Sequence, residues 1–279
     1  MTKSLSPLRY PGGKSKIYDK VKKLVEVNKL GDRTYVEPFA GGFGIGISLL
    51  CDDIVQSTVL NDFDSHIYHF WYSVLYHTEF LLKMIADTPI TLEEREKQRT
   101  IYMDKSADEL SDGFATLFLN RVNFSGIITG GPIGGLSQNG TYKIDCRFNK
   151  SEIVKKIERI ALLKNRIELY NCDASELITL RLQDTICTSF FNIDPPYVKK
   201  GHRLYASYFK EEDHKSLARI ITEYLGETKW IVTYDDSDLI RDIYKQHLMI
   251  GYDIQHNVGG SVKGKEIVIT NIPESLFTW

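Results

Sequence analysis

Two periodicities divide the chain into segments. Short, mostly apolar runs bounded by polar or turn residues predict buried strands, and they lie at Thr34–Phe39, Ser57–Leu60, Arg166–Tyr170, Thr188–Ile193 and Lys229–Tyr234. Apolar residues at helical spacing predict helices at Lys14–Lys29, Ser151–Asn165 (with Ser151 as the N-cap), Glu211–Leu225 and Ser237–His247. Tyr252–Val258 and Glu266–Asn271 predict a terminal hairpin. Alternating strands and helices predict a mixed α/β sheet.

The stretch between Asp64 and Asn120 has a different pattern. Helical stripes of apolar and aromatic residues replace the alternation, and Asp64 is placed as a helix cap. We therefore predict a first catalytic part at 1–62, a helical insert at 63–164 and a second catalytic part at 165–279. The insert contains a glycine-rich segment, Gly130–Gly140, and long loops of this kind commonly carry binding residues.

The strand predicted at Thr188–Ile193 runs into Asp194-Pro195-Pro196-Tyr197. Proline has no backbone N–H, so the strand stops here and Asp194 lies on a stiff turn at its carboxyl end, where open α/β sheets bind ligands. The Asp194 carboxylate and the Pro195 carbonyl form a pair of acceptors for the two N–H groups of an exocyclic amine. Tyr197 offers a face on which a base could stack. A proline-rich turn without function is the alternative for these four residues alone.

A second candidate is the turn after the first predicted strand, Glu37-Pro38-Phe39-Ala40-Gly41-Gly42. Glycines let the backbone approach a ligand, and the amino terminus of the following helix adds partial positive charge. Ile47 replaces the third glycine of the dinucleotide fingerprint, which disfavours a dinucleotide, and a packing turn is the alternative. Asp62, at the tip of the second strand, is placed to accept hydrogen bonds from ribose hydroxyls, with Asp64 as a rival.

The sequence Gly12-Gly13-Lys14-Ser15 invites comparison with the phosphate loop of nucleoside triphosphatases. That motif requires a glycine at position 8, where this chain has Leu8, and a preceding strand, which the first seven residues do not predict. Lys14 is better explained as a cation near a cleft, suited to a carboxylate.

Composition contributes mainly exclusions. Of the 279 residues, 42% are hydrophobic and 26% are charged, as in ordinary soluble proteins. No run is long and apolar enough for a membrane span and residues 1–7 do not resemble a signal peptide, so we expect a cytoplasmic protein. The four cysteines form no closely spaced pair, so neither disulfides nor a metal site is expected.

Charge is informative only locally. The net charge of −2 gives no overall signal for a nucleic acid, but segment 121–170 has nine lysines and arginines against four acids. Such an excess suits a nucleic-acid backbone, although a solvated helix face explains it almost as well. Lys199, Lys200 and Arg203 follow the proline turn and are candidates for phosphate contacts, with a surface loop as the alternative.

Three of these motifs together resemble those of one family. Tyr10-Pro11-Gly12-Gly13-Lys14 resembles motif X, Glu37–Gly42 resembles motif I, and Asp194–Tyr197 resembles motif IV of the D12 class (Dam-like) of N6-adenine-specific DNA methyltransferases. The motifs occur in the order expected for this family. The resemblance implies a Rossmann-like sheet of the S-adenosylmethionine-dependent methyltransferases, with a helical target-recognition insert.

The resemblance also implies roles for individual residues. It assigns catalysis to Asp194, Pro195, Pro196 and Tyr197, and cofactor binding to Tyr10, Lys14, Glu37, Phe39, Gly41, Asp62, Asp173 and Asp194. Leu119-Asn120-Arg121 partly matches the entry to the target-recognition loop, so Arg121 and Asn123 are candidate DNA contacts, with structural roles at a helix end as the alternative. The glycine-rich segment then departs from the Dam pattern, so recognition of GATC is not transferred.

The predicted reaction is site-specific methylation of adenine N6 in double-stranded DNA. An adenine flipped out of the duplex would donate its two N6 hydrogens to Asp194 and the Pro195 carbonyl, and methyl transfer would be direct. The resemblance implies a monomer or weak dimer that needs no membrane, with a cognate restriction endonuclease as a candidate partner. An RNA adenine methyltransferase and a catalytically silent DNA-binding relative remain as alternatives.

Overall fold

The computed structural model describes residues 5–9, 14–198, 209–256 and 262–279, without the side chains of residues 15, 254–256 and 262–263. The chain divides into two compact units. The sheet unit comprises Lys14–Phe63 and Arg166–Trp279, and the helical unit comprises Met1–Gly13 and Asp64–Asn165.

The helical unit includes residues 5–9, which the sequence placed in the catalytic part. Two hydrogen bonds explain this difference. The Arg9 backbone N–H donates to Asn120 Oδ1 at 2.7 Å, and Asn120 Nδ2 donates back to the Arg9 carbonyl at 3.0 Å. This reciprocal pairing joins the amino-terminal segment to the helical unit.

A seven-stranded sheet forms the centre of the sheet unit. Its strands are β1 (Thr34–Glu37), β2 (Thr58–Asn61), β3 (Ile167–Tyr170), β4 (Ser189–Ile193), β5 (Lys229–Asp235), β6 (Leu248–His256) and β7 (Val262–Thr270). Their order is β3-β2-β1-β4-β5-β7-β6. Strands β1 to β5 pair in parallel, whereas β7 is antiparallel to both of its neighbours. The sheet is therefore mixed and mostly parallel, and it belongs to the α/β class that the sequence predicts.

The central strands are buried on both faces. All residues of β2 and β4 are buried, as are three of the four in β1, and strands covered on both sides require the near-continuous apolar runs seen in the sequence. Val36 on β1 pairs with Val59 on β2 and with Phe191 on β4. This register brings the carboxyl ends of the neighbouring strands to one edge of the sheet.

Ten α-helices lie in the described ranges. They are α1 (Tyr18–Val27), α2 (Gly44–Cys51), α3 (Ser65–Tyr76), α4 (Thr78–Asp87), α5 (Leu92–Met103), α6 (Glu109–Val122), α7 (Lys150–Ala161), α8 (Ala174–Glu176), α9 (Glu211–Tyr224) and α10 (Asp238–Ile243). None of the helices in these ranges is long and apolar enough to cross a membrane.

Several helix ends differ from the predictions. Lys14–Ile17 is a 3₁₀ turn that precedes α1. Asn149, not Ser151, caps α7, because Asn149 Oδ1 accepts the Glu152 N–H at 3.1 Å, and α7 ends at Ala161 rather than Asn165. The helix predicted at Ser237–His247 ends at Ile243, because the chain must enter β6 at Leu248.

Helices α3 to α7 form the helical unit. Asp64 caps α3 by accepting the His66 N–H at 3.0 Å, which favours the helix-cap alternative for Asp64 over a ribose contact. Helices α3 and α6 approach closely at Gly113, where a Cβ would lie 2.5 Å from the His69 carbonyl oxygen. The glycine-rich segment that follows α6 contains turns and one β-bridge, from Asn123 to Pro132.

Candidate active site

The turn Asp194-Pro195-Pro196-Tyr197 begins where β4 ends, at Ile193. Because β4 lies between the parallel strands β1 and β5, the carboxyl ends of these three strands surround the turn. The peptide bonds after Asp194 and Pro195 carry no N–H. The Asp194 carboxylate and the Pro195 carbonyl are therefore acceptors with no backbone donor beside them.

Asp194 is held through one of its carboxylate oxygens. Its Oδ1 accepts the hydroxyl hydrogen of Thr233 at 2.8 Å, and Lys14 Nζ lies 3.4 Å from the same oxygen. Among the described residues no partner contacts Oδ2, and 22% of the side chain is exposed. Burial raises the pKa of Asp194 above its usual value, and the Lys14 charge offsets only part of this increase. The carboxylate is thus oriented, and one oxygen remains for a ligand.

Strand β5 secures both ends of the turn. Thr233 holds Asp194, and two residues further along, Asp235 Oδ1 accepts the Val198 N–H at 3.0 Å. Residues two apart on a strand point to the same face, so Thr233 and Asp235 both point to the side on which the turn lies. These two hydrogen bonds fix where Asp194 starts the turn and where Val198 leaves it.

Lys14 lies at the centre of a buried polar group in the sheet unit. Its Nζ donates to Glu266 Oε2 at 2.9 Å and to the Tyr197 hydroxyl, and it lies 4.6 Å from the centre of the Tyr197 ring. Glu266, on β7, is 1% exposed and also accepts the Tyr252 hydroxyl hydrogen at 2.8 Å. Burial opposes ionisation of Glu266, but the Lys14 charge and the hydrogen bonds outweigh it, so the pKa lies below its usual value.

Tyr197 does not present an open face. Its side chain is 5% exposed, its hydroxyl is held by Lys14, and its ring centre lies 6.3 Å from that of Tyr234. This arrangement favours a role for Tyr197 in fixing the turn and Lys14 over the predicted role as a stacking platform.

The glycine-rich turn after β1 adopts unusual backbone angles. Gly41 and Phe43 have φ values of 47° and 46°, and Phe43 is the residue before α2. The left-handed region is costly for most residues but not for glycine. The Gly41 N–H donates to Asp62 Oδ2 at 2.7 Å, which ties the turn to the tip of β2. Asp62 therefore helps to shape the turn.

Glu37 lies beneath this turn. Its Oε1 accepts the Tyr35 hydroxyl hydrogen at 2.8 Å and the Gly46 N–H at 3.1 Å, and burial raises the pKa of Glu37 to about 8. Asn192 Nδ2 donates to the same Tyr35 hydroxyl at 2.6 Å. The network connects β4 to the helix that follows the glycine-rich turn.

Two further candidates lie nearby in the sheet unit. Phe39 is half-buried, and its ring packs edge-on against Phe209 at 5.9 Å. Asp173, at the tip of β3, is exposed, and its Oδ1 accepts the Ser175 N–H at 2.8 Å. Since β2 and β3 are neighbours, Asp62 and Asp173 lie at adjacent strand tips. Their carboxylates are acceptors at the same edge of the sheet as the glycine-rich turn between β1 and α2.

The candidate DNA contacts of the helical unit differ from one another. Asn123 is fully buried; its Oδ1 accepts from Arg95 Nε at 2.7 Å and its Nδ2 donates to the Ile128 carbonyl at 2.6 Å. Both ends of the amide are engaged, so the geometry favours a structural role over a DNA contact. Arg121 is 8% exposed, and its Nε is buried without a hydrogen-bond partner among the described residues.

Arg9 and Arg147 surround Arg121 with further positive charge. The pKa of Arg121 is lowered to about 10, with burial as the main cause; the charges of Arg9 and Arg147 act in the same direction, and the charge of Glu152 opposes them. Arg9 Nη1 donates to the Asn123 carbonyl at 3.4 Å, while Arg147 is exposed and lies 5.9 Å from the Tyr142 ring. The charges of Arg9, Arg121 and Arg147 thus affect one another, and Glu152 offsets part of this positive charge.

Four predicted site residues lie outside the described ranges: Tyr10, Lys199, Lys200 and Arg203. Conversely, Glu266, Thr233 and Asp235 contact the candidate site although the sequence did not indicate them. Glu266 gave one weak signal, a charged residue at the start of the apolar run Ile267–Thr270. Thr233 and Asp235 had none beyond their place at the end of a predicted strand.

The described residues contain no cluster of three or more potential metal ligands. His66 and His69 both bond to Asp112, through their Nδ1 atoms at 2.8 and 2.7 Å. Because α3 carries both histidines and α6 carries the acid, this group joins two helices of the helical unit.

Comparisons with known proteins give one family and a number of distant structures, two of which are described here. An uncharacterized protein from Listeria monocytogenes serotype 4b shares 7% identity and a TM-score of 0.37, with 89% of this chain and 66% of the other covered. A candidate tRNA (m1A22) methyltransferase from Streptococcus pneumoniae shares 9% identity and a TM-score of 0.38, with 88% and 68% covered. The chain thus spans about two thirds of the length of each structure, and both TM-scores indicate only a distant similarity. No curated protein matches the sequence.

The family model for the D12 class N6 adenine-specific DNA methyltransferases matches residues 10–257. This range includes the glycine-rich turn, the helical insert and the turn at Asp194. Together with the mixed seven-stranded sheet, it confirms the predicted fold class and the predicted enzyme class. The chain belongs to the D12 class of N6 adenine-specific DNA methyltransferases.

Proposed function

We propose that the protein transfers a methyl group from S-adenosylmethionine to the N6 amino group of adenine in double-stranded DNA. One observation carries this proposal. Asp194 Oδ1 is held by Thr233 and Lys14, no described residue contacts Oδ2, and the Pro195 carbonyl follows on a turn without competing N–H groups. This pair of acceptors suits an amino group with two hydrogens.

Asp194 Oδ2 and the Pro195 carbonyl oxygen accept the two N6 hydrogens and orient the nitrogen. Hydrogen bonds in this geometry direct the nitrogen lone pair away from the purine ring, so positioning and electrostatics provide most of the rate enhancement. Once the nitrogen has gained a methyl group, it must lose one proton. Asp194 Oδ2 takes this proton, and its raised pKa makes it a stronger base than an exposed aspartate.

The cofactor is held by the glycine-rich turn and the acids at the strand tips. Gly41 allows close approach of the backbone, Asp62 accepts from the ribose hydroxyls, and Asp173 accepts from the adenine amino group of the cofactor. When bound, S-adenosylmethionine supplies a methyl group on a positively charged sulfur, which keeps the electron pair of the broken bond. Glu37 and Phe39 support the turn, and Tyr10 is the remaining cofactor-binding residue in this proposal.

The target adenine leaves the duplex before it reacts, because N6 cannot reach the turn from within a base-paired helix. Unstacking costs roughly a few kcal/mol, which phosphate contacts must offset. Arg121, with Arg9 and Arg147 beside it, is suited to the phosphate backbone of DNA. Lys199, Lys200 and Arg203 provide further cations in the segment after the turn. A cytoplasmic site of action and a paired restriction endonuclease complete the proposal.

The test is transfer of tritiated methyl groups from S-adenosylmethionine to unmethylated double-stranded DNA, followed by nucleoside analysis of the product. We expect N6-methyladenine at a defined sequence. Transfer to RNA but not to DNA would replace the proposed substrate with RNA adenine. Absence of transfer to either nucleic acid would contradict the proposed reaction, and absence of cofactor binding as well would favour a catalytically silent DNA-binding relative.

A further inference from the structure

Lys14 lies between two carboxylates of the sheet unit and is closer to one of them. Its Nζ is 2.9 Å from Glu266 Oε2 and 3.4 Å from Asp194 Oδ1. Only the first contact is short enough to be a good hydrogen bond. Glu266 is almost completely buried on β7, whereas Asp194 retains some exposure. Lys14 therefore interacts more closely with Glu266, the more deeply buried carboxylate, than with Asp194.

The closer pairing of Lys14 with Glu266 affects the proton transfer that accompanies methyl transfer. The N6 nitrogen starts with two hydrogens and no charge, gains a methyl group, becomes positively charged and must release one proton. The acceptor within the proposed site is Asp194. A carboxylate that forms a tight pair with an ammonium group loses much of its basicity, because the positive charge stabilises the ionised form. Asp194 would accept the proton poorly if Lys14 were its own counterion.

We propose that Glu266 is a positioning residue for methyl transfer: it holds Lys14 and takes up its charge, so that Asp194 remains available as the proton acceptor. The inference rests on the proposed function, since it assigns Glu266 a part in that reaction. Glu266 has no contact with the reacting atoms in this scheme and acts through Lys14 and through its own negative charge.

The two carboxylates deviate from their usual behaviour in opposite directions, as this division requires. The pKa of Asp194 is raised, with burial as the main cause and the negative charge of Glu266 as a contributor. The pKa of Glu266 is lowered, because Lys14 and Tyr252 outweigh the effect of burial. Other charged or titratable groups that interact with Asp194 come from several elements: Lys14, Tyr35, Glu37, Tyr234, Tyr252 and Glu266.

A purely structural role for Glu266 makes a different prediction, and Tyr252 distinguishes the two. The Tyr252 hydroxyl donates to Glu266 Oε2, the same oxygen that Lys14 contacts. Tyr252→Phe removes a hydrogen bond from the group but leaves both charges. If only packing and hydrogen bonding matter, Tyr252→Phe and Glu266→Gln should have similar effects on Asp194. If the negative charge of Glu266 matters, only Glu266→Gln should alter the titration of Asp194.

The first experiment measures the pH dependence of single-turnover methyl transfer to DNA. In Glu266→Gln, Asp194 is the one charged partner left to Lys14 among the residues that the structure describes, so the acid limb of the profile should move down by about one pH unit. The plateau rate should fall by up to about tenfold, because a weaker base accepts the proton less readily. Tyr252→Phe should leave the acid limb at its wild-type position. In Glu266→Asp the acid limb should lie between those of the wild type and Glu266→Gln, because the negative charge is retained on a side chain that is shorter by one methylene group.

The second experiment does not depend on activity. The carbon-13 resonance of the Asp194 carboxyl, assigned by comparison with Asp194→Asn, reports the titration directly. We expect the titration midpoint of Asp194 to be highest in the wild type and in Tyr252→Phe. It should be lower in Glu266→Asp and lowest in Glu266→Gln. If Glu266→Gln does not fold, the order of Tyr252→Phe and Glu266→Asp decides.

An unchanged Asp194 midpoint in Glu266→Gln, or an equal shift in Tyr252→Phe, would overturn the inference. Absence of methyl transfer by the wild-type protein would contradict the proposed function instead, and the titration would still decide whether Glu266 controls the basicity of Asp194.

Discussion

The sheet unit and the helical unit treat their positive charges in different ways. In the sheet unit, Lys14 is buried against Glu266, Asp194 and the Tyr197 hydroxyl. In the helical unit, Arg121 has two other arginines close by, and its Nε has no hydrogen-bond partner among the described residues. One unit satisfies its cation internally, whereas the other places like charges together.

The difference corresponds to two kinds of task. A reacting group must be positioned before the substrate arrives, so its charges are compensated by fixed partners. A surface that binds a polyanion gains affinity from cations that have no internal partner, because it releases counterions from the nucleic acid on binding. Substitutions in the two units should therefore affect different measurements, namely the rate of transfer in the first and DNA affinity in the second.

The largest effect is expected at Asp194. Asp194→Ala should lower the single-turnover rate by about a thousandfold, because it removes both the orientation of the amino group and the proton acceptor. Cofactor affinity and the unfolding transition should change little. Asp173→Ala, which removes an exposed acid at the tip of β3, is the matched control and should retain turnover at saturating cofactor. A wild-type rate in Asp194→Ala would exclude the proposed mechanism.

A smaller effect is expected at Thr233. Thr233→Val keeps the size of the side chain but removes the hydrogen bond to Asp194 Oδ1. Loss of one bond to a carboxylate should reduce the single-turnover rate roughly tenfold, with the dissociation constant for the cofactor unchanged. Thr233→Ser retains the hydroxyl and should recover most of the rate. Equal losses in both variants would show that packing, not the hydrogen bond, is responsible.

In the helical unit, Arg147→Gln should leave the rate at saturating DNA unchanged and weaken DNA binding. Removal of one phosphate contact should lower affinity several-fold for all sequences and reduce the slope of log affinity against log salt by about one. Lys83→Gln serves as the control, because Lys83 is exposed in the same unit but pairs with Asp87. Equal salt slopes for the two variants would contradict a specific role for Arg147.

The smallest effect concerns the pH dependence of stability in the helical unit. Burial opposes protonation of His66, but the hydrogen bond and the charge of Asp112 outweigh it, so the pKa of His66 is raised. A raised pKa stabilises the folded state below the unfolded value, and this contribution is lost as the pH rises through the folded value.

His66→Gln should therefore lower the free energy of unfolding more at pH 6 than at pH 8, by less than about 1 kcal/mol. Urea denaturation at the two pH values measures this difference. His77→Gln, which removes a histidine of the same unit for which the structure shows no bond to Asp112, serves as the control. A difference of the same size in both variants would exclude the Asp112 pair as its cause.

Much of the architecture could be predicted from local patterns. The five strands β1 to β5 and the turn at Asp194 depend on residues close together in sequence, where apolar runs and prolines have strong local preferences. Helix ends were predicted less well. At α7, Asn149 and Ser151 are both good caps, and only the position of the helix on its neighbours selects the first.

The partners of the site residues could not be predicted from local patterns in the sequence. Lys14 and Glu266 are separated by 252 positions, and Asp194 and Thr233 by 39. Their contacts exist because β4, β5 and β7 lie side by side, and no pattern in one segment reports on another. Burial decided further cases: Asn123 and Tyr197 have residue types suited to nucleic-acid contact, but tertiary packing occupies both side chains.

The sequence by itself determined which chemical groups are present, the order in which they occur and the stiff turn that carries Asp194. These follow from covalent structure and short-range conformational preference. Only the tertiary structure decided which carboxylate compensates Lys14, which oxygen of Asp194 remains available and which arginines are left among other cations. Electrostatic and hydrogen-bond partners are chosen by distance in space, and that distance is set when the sheet and the helices pack.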